Sequence, residues 1–156
     1  MSSPIYMSIK AKKTGQIKGP VTQSKLEDTI KLLTFDHTVL IPTKQENGQP
    51  SGKKAHFPVT VTKEVDKSTP LLLQALATAD PLTEVKFQFV EPNGNVYFTV
   101  TLEEAAICSV RTFCLNTADP ANGPFTHMQE VKFTFAKITL QFTEGGVTAT
   151  DSFEAK

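Results

Sequence analysis

Three histidines, two cysteines and a few carboxylates are the residues of this 156-residue chain whose chemistry goes beyond packing. His37 and His56 bracket the stretch "DHTVLIPTKQENGQPSGKKAHFP", Asp36 to Pro58, and His127 lies far downstream in "FTHMQE". Imidazoles on three separate segments hold a metal only if folding brings them together. At strand ends they more often serve turns as hydrogen-bond partners, and that is the role expected of them here. Cys108 and Cys114 share the segment "AAICSVRTFCLN". As a strand, that spacing spans about 20 Å, whereas a disulfide needs alpha carbons within about 7 Å. Two reduced thiols are therefore expected, and no C-x-x-C pair is present to build a zinc site. Asp36, Glu103, Glu104 and Asp151 could in principle supply an acid–base pair. Glu103 and Glu104 are consecutive in a strand pattern and point to opposite faces, so they cannot act together. All four read as solvated carboxylates. Neither G-x-S-x-G, H-E-x-x-H nor a phosphate-cradling glycine loop occurs. The chain reads as a protein with no catalytic residues, no cofactor and no metal.

Composition moves the weight from chemistry to surfaces. Sixteen basic residues balance sixteen acidic ones, so the basic face of a nucleic-acid binder is absent. Hydrophobic residues make up 39% and charged residues 21%, as in an ordinary globular chain that folds as one domain over residues 1–156. No window approaches the roughly 18 apolar residues of a membrane-spanning helix, and no membrane insertion is expected. The start, "MSSPIYMSIKAKKTGQ", lacks the pattern of a secretory signal. Synthesis in the cytoplasm follows, with any export by a route that needs no N-terminal signal.

Period-two alternation dominates the chain. Val85, Phe87 and Phe89 share one face of "TEVKFQFVE", and Val96, Phe98, Val100 and Leu102 share one face of "NVYFTVTLEE". "EPNG" between them has the proline and glycine of a turn, which makes this the best hairpin in the sequence. Ile5, Met7 and Ile9 alternate likewise, as do Phe57, Val59 and Val61. Two strands change phase. Val131, Phe133 and Phe135 give way to Ile138, Leu140 and Phe142 after Ala136–Lys137, and "KLLTF" slips between Leu32 and Leu33. Bulges of this kind bend strands round barrel corners. The expected fold is mainly β: two curved antiparallel sheets forming a barrel, with bulky inward residues that leave little room for a ligand. One helix, about residues 69–79, flanks it. Ser68 or Thr69 would cap it, Pro70 suits its first turn, Leu72, Ala75, Leu76 and Ala79 form its apolar stripe, and Pro81 ends it. A long polar loop, about 43–54, is uncommon in a compact domain unless it has a function.

Four blocks in order, "FDHTVLIP", "SGKKAHFPVTVTKEVDKSTPLLLQAL", "THMQEVKFTFAKITLQF" and "EGGVTATDSF", resemble the haemolysin-coregulated protein (Hcp) family of bacterial type VI secretion systems. The resemblance runs from about Pro4 to Phe153. Its most specific feature is Asp-His, then His-x-Pro, then Thr-Lys-x-x-Asp-x-Ser-x-Pro ahead of a helix. Met128, Gln129, Glu130, Leu140 and Phe153 depart from the residues common in the family at those places. The resemblance implies a structural subunit that forms hexameric rings, stacked into a tube inside a contractile sheath and propelled from the cell behind a spike protein. Effector proteins are implied as cargo within the ring, and secretion without a signal peptide as its route. On this reading Thr43, Lys44, Gln45, Glu46, Asn47, Lys53 and Lys54 form a loop that touches a neighbouring subunit or ring, and His37 and His56 pin its base. A tail-tube protein of a phage-like contractile particle and a small ligand-binding barrel are the alternatives.

Overall fold

The computed structural model describes residues 3–153. In chain order the elements are β1 (Ile5–Ala11), β2 (Gly15–Ile17), β3 (Ile30–Asp36), β4 (Val39–Leu40), β5 (Ala55–His56), β6 (Val59–Glu64), α1 (Thr69–Ala77), β7 (Leu82–Val90), β8 (Val96–Phe113), β9 (Met128–Phe142) and β10 (Val147–Ser152). Antiparallel pairing runs β9–β6–β3–β1–β7–β8, and β8 then pairs with β9 to close a barrel. The expected curved sheets are thus one continuous ladder that curls onto itself. β2 extends it beside β1, β10 extends it beside β9, and β4 with β5 form a separate two-stranded ladder.

Closure depends on two long strands. β9 lies along β8 over its whole length, and its other edge pairs with β6 from Met128 to Phe133 and with β10 from Lys137 to Phe142. β7 covers the other edge of β8 only as far as Ala105. Among the described residues, that edge from Ala106 to Phe113 and the outer edge of β10 have no strand partner. The hairpin joining β7 to β8 turns through Glu91–Asn95, where Gly94 takes a φ of 91°, a conformation that glycine adopts without steric cost.

The two phase changes have different origins. In β3, Leu32 pairs with Lys63 and Thr34 with Thr62, so Leu33 is the extra residue of a bulge and lies 44% exposed. In β9 the change at Ala136–Lys137 is not a one-sided bulge. Glu103–Lys137 and Ala105–Phe135 keep one register, because β8 changes face at the same point with Glu104 at a φ of 49°. The bulge of this ladder lies further along, between Ile107 and Ser109, where Cys108 is the additional residue.

Inside the barrel Met7, Ile9, Phe87, Leu102, Val131 and Phe133 are fully buried. Each such side chain contributes about 1.5–3 kcal/mol on burial, and together they fill the interior. Phe57, expected inward with Val59 and Val61, is instead 48% exposed, because it precedes β6 and belongs to the stem of the loop.

Helix α1 lies against β8 and buries Leu72 and Ala75 in the same core. Its start differs from the expected cap. Ser68 makes no side-chain cap bond; Asp66 instead accepts from the Ser68 amide at 2.8 Å and the Ser68 hydroxyl at 2.5 Å. The helix also stops at Ala77, before Pro81 can act. Asp80 N–H donates to the Ala75 carbonyl and Ala79 N–H to the Leu76 carbonyl, the paired bonds of a Schellman ending. Its left-handed position is occupied by Ala79 at φ 52°, where an L-residue carries about 1–2 kcal/mol of strain. Ala79→Gly should therefore stabilise the protein by about 0.5–1 kcal/mol, read as a higher urea midpoint with an unchanged slope.

Candidate functional site

The loop between His37 and His56 is an ordered arm. β4 and β5 pair through Val39–His56 and Leu40–Ala55, and Thr43 bridges Pro50 further out. At the tip Lys44 N–H donates to the Gln49 carbonyl at 2.8 Å, Gly48 N–H to the Lys44 carbonyl at 2.9 Å, and Asn47 Oδ1 accepts from Gln49 N–H at 3.0 Å. Of the contact residues expected from the sequence, Thr43, Lys44, Gln45, Glu46, Asn47 and Lys53 are exposed, while Lys54 is half-buried and engaged below. The stem is apolar. Val39, Leu40, Ile41 and Phe57 are each between 39% and 48% exposed.

His37 and His56 meet at the base of this arm. His37 Nε2 lies 3.2 Å from His56 Nδ1, and the rings are within 17° of one plane with centroids 5.4 Å apart. The facing nitrogens are closer than the centroids by about a ring's width, so the rings meet end on, as a hydrogen bond requires. His56 is buried, its other nitrogen, Nε2, lies 2.8 Å from Asp151 Oδ2, and Lys54 Nζ bonds Asp151 Oδ1. The edges and faces of Phe135 and Phe153 enclose the pair. Asp151 is thus a partner of both arm residues, not the solvated carboxylate expected from sequence. It lies on β10, 95 residues from His56, and no local spacing marks it. His127 stands apart at the start of β9, where its carbonyl accepts from Val65 N–H at 3.0 Å. Among the described residues no group of three or more histidines, cysteines and carboxylates could hold a metal ion. Both cysteines are free and exposed.

The charges at the base are tuned by this packing. Burial, reinforced by His56, pulls His37 below the ordinary imidazole range, and Asp36 pulls it partly back. Hydrogen bonds first from Lys54 and then from His56 hold the Asp151 carboxyl at about 2. An unfolded aspartate takes up its proton near pH 3.9, so below that the unfolded chain binds more protons than the folded one. The stability that Asp151 contributes is therefore complete above about pH 4 and is lost as pH falls towards about 2. The urea midpoint of the parent should exceed that of Asp151→Asn at neutral pH, and the gap should narrow through this window. A gap that does not change with pH would contradict the assignment.

The most specific block of the sequence, Thr62-Lys63 through Pro70, turns out to be a buried polar network. Lys63 is fully buried on β6. Its Nζ donates to Gln129 Oε1 at 3.0 Å, to Thr69 Oγ1 at 3.0 Å and to the Glu64 carbonyl at 2.9 Å, and lies 3.2 Å from Asp66 Oδ1. Burial lowers the pKa of the ammonium, while Asp66 opposes that shift. The network ties β6 and β9 to the start of α1, and Asp66 in turn sets the first turn of the helix.

Comparison with known proteins supports the same reading. Residues 6–142 match the family described as type VI secretion system effector, Hcp. The chain is 36% identical to the major exported protein of Pseudomonas aeruginosa, covering 99% of this chain and 98% of that one. The secreted protein Hcp3 of Pseudomonas aeruginosa superposes with a TM-score of 0.78 at 31% identity, over 98% of this chain and 99% of that one. Hcp1 of the Escherichia coli EAEC 042 pathovar gives a TM-score of 0.84 at 26% identity, over 97% and 99%. The two superpositions take in nearly the whole of this chain, so the overall fold is shared with these relatives. The chain belongs to the Hcp family of type VI secretion systems, as an exported structural tube protein and not an enzyme.

Proposed function

We propose that copies of this chain close into hexameric rings and stack into the inner tube of a type VI secretion system, with the arm from Thr43 to Lys54 packing on a neighbouring subunit or ring. The observation that carries this reading is a barrel complete in its interior yet incomplete at its margins. The edge of β8 from Ala106 to Phe113 and the outer edge of β10 lack strand partners among the described residues, and the arm exposes an apolar stem. Unpaired edges invite aggregation unless another chain covers them in a closed arrangement, and rotational symmetry supplies one. The same reading makes the spike protein, the contractile sheath and cargo effectors the partners of the tube, and gives a path from the bacterial cytoplasm outward without a signal peptide. No helix among the described residues is long and apolar enough to cross a membrane.

Replacing Gln45–Gly52 with a tight turn tests the arm. The shortened protein should keep the urea midpoint of the barrel but form fewer rings and stacks in negative-stain electron microscopy. Assembly equal to the parent would overturn the role of the arm. A parent that stays monomeric at high concentration would overturn the ring itself.

A further inference from the structure

The geometry at the base of the arm limits how many protons the two imidazoles can hold while they stay in contact. A carboxylate only accepts hydrogen bonds, and Asp151 stays ionised down to about pH 2. His56 Nε2, 2.8 Å from Asp151, must therefore carry a hydrogen. In the neutral ring that leaves a lone pair on Nδ1, which faces His37 Nε2 at 3.2 Å. With both rings neutral, His37 Nε2 is then the donor. One added proton leaves the contact intact on whichever ring it settles, because a single hydrogen between His37 Nε2 and His56 Nδ1 satisfies both nitrogens. A second puts a hydrogen on each of these nitrogens, donor against donor and charge against charge.

We propose that His37, His56, Asp151 and Lys54 form a proton-operated latch, which holds the stem of the arm closed while the imidazole pair carries at most one added proton and opens between His37 and His56 when it takes a second. Among the described residues, the charged groups facing the pair are Asp36 at the end of β3, Lys54 beside β5 and Asp151 on β10, while Phe135 of β9 and Phe153 present their rings. Because Asp151 remains ionised, Lys54 and His56 stay on β10 while His37 lets go. Opening is thus confined to the β4 side of the stem. This inference concerns the single chain and does not depend on ring formation.

The test is an NMR titration of the full chain from about pH 7.5 to about pH 4.5, a range in which histidines change charge. Imidazole nitrogen shifts follow each ring, and amide exchange follows Val39 and Leu40. The first proton taken up by the pair should leave the amide exchange of β4 unchanged after correction for pH. The second should coincide with a roughly tenfold rise in opening at Val39 and Leu40, the effect of losing about one hydrogen bond, while Val59 and Val131 in the barrel stay protected. His37→Gln keeps a donor for His56 but does not titrate, and should abolish the acid-induced opening. The latch is overturned if β4 exchange does not depend on pH in the parent, if His37→Gln opens as the parent does, or if both rings carry a hydrogen on each nitrogen with the contact intact. The parent titration decides the matter even if the variant fails to fold.

Discussion

Lys63→Ala should destabilise the protein by about 3–5 kcal/mol, the cost of removing one member of a buried, hydrogen-bonded ion pair. The lysine is fully buried, and its loss leaves Gln129 Oε1, also fully buried, without its donor. Gln129 Nε2 already has no partner among the described residues, so the amide would be unsatisfied at both ends. Asp66 would keep its bonds from Ser68 but lose the ammonium 3.2 Å away, and the first turn of α1 should loosen. Urea denaturation reads the effect as a lower midpoint. Lys63→Met combined with Gln129→Leu should recover part of the loss, because removing both buried partners is milder than orphaning one. A second readout follows from the lowered pKa of Lys63. Between its folded and unfolded pKa values the unfolded chain binds more protons, so parent stability gains from Lys63 as pH rises towards about 10.4. The alanine variant should lack that gain. A midpoint shift worth less than about 1 kcal/mol would show that the network dispenses with its cation.

Phe87→Ala should cost about 3–5 kcal/mol, through lost burial and the cavity left behind. Phe87 is fully buried on β7, its ring 5.0 Å from that of Phe35 and 6.1 Å from that of Phe133, both edge to face. It thereby joins β7 across the interior to β3 and β9, neither of which is its neighbour in the ladder, and a void there cannot collapse without moving the closed sheet. Phe35 stands two residues before His37, so the same substitution should also raise amide exchange at the base of the arm. Phe87→Leu, which refills much of the space, should lose clearly less. Equal losses for alanine and leucine would mean that aromatic edge contacts, and not volume, hold this part of the core.

Local order explains what could be read in advance. Alternation in β7, β8 and β9 reports which side chains face inward, because successive residues of a strand point to opposite faces whatever the strand pairs with. The helix was legible for a similar reason, in Pro70 and the spacing of Leu72 and Ala75. Its ending was not, since the left-handed Ala79 has no sequence signal of the kind glycine provides. The phase change at Ala136 was visible. Its cause was hidden in the matching change at Glu104 on the partner strand.

The site divides along the same line. His37 and His56 stood out as the two ends of one loop, and the motif from Lys63 to Pro70 stood out as a pattern without a stated purpose. Asp151 and Gln129 could not be attached to them, because a chain records only which residues are neighbours along it. Barrel closure brings β10 beside the arm and β9 beside β6, joining residues 95 and 66 positions apart. Residue type and periodicity therefore determine strands, helix and inward faces, each set by contacts within a few residues. The partners of the buried lysine and of the paired imidazoles were decided only when the sheet closed, since hydrogen bonding acts over about 3 Å and depends on position in space.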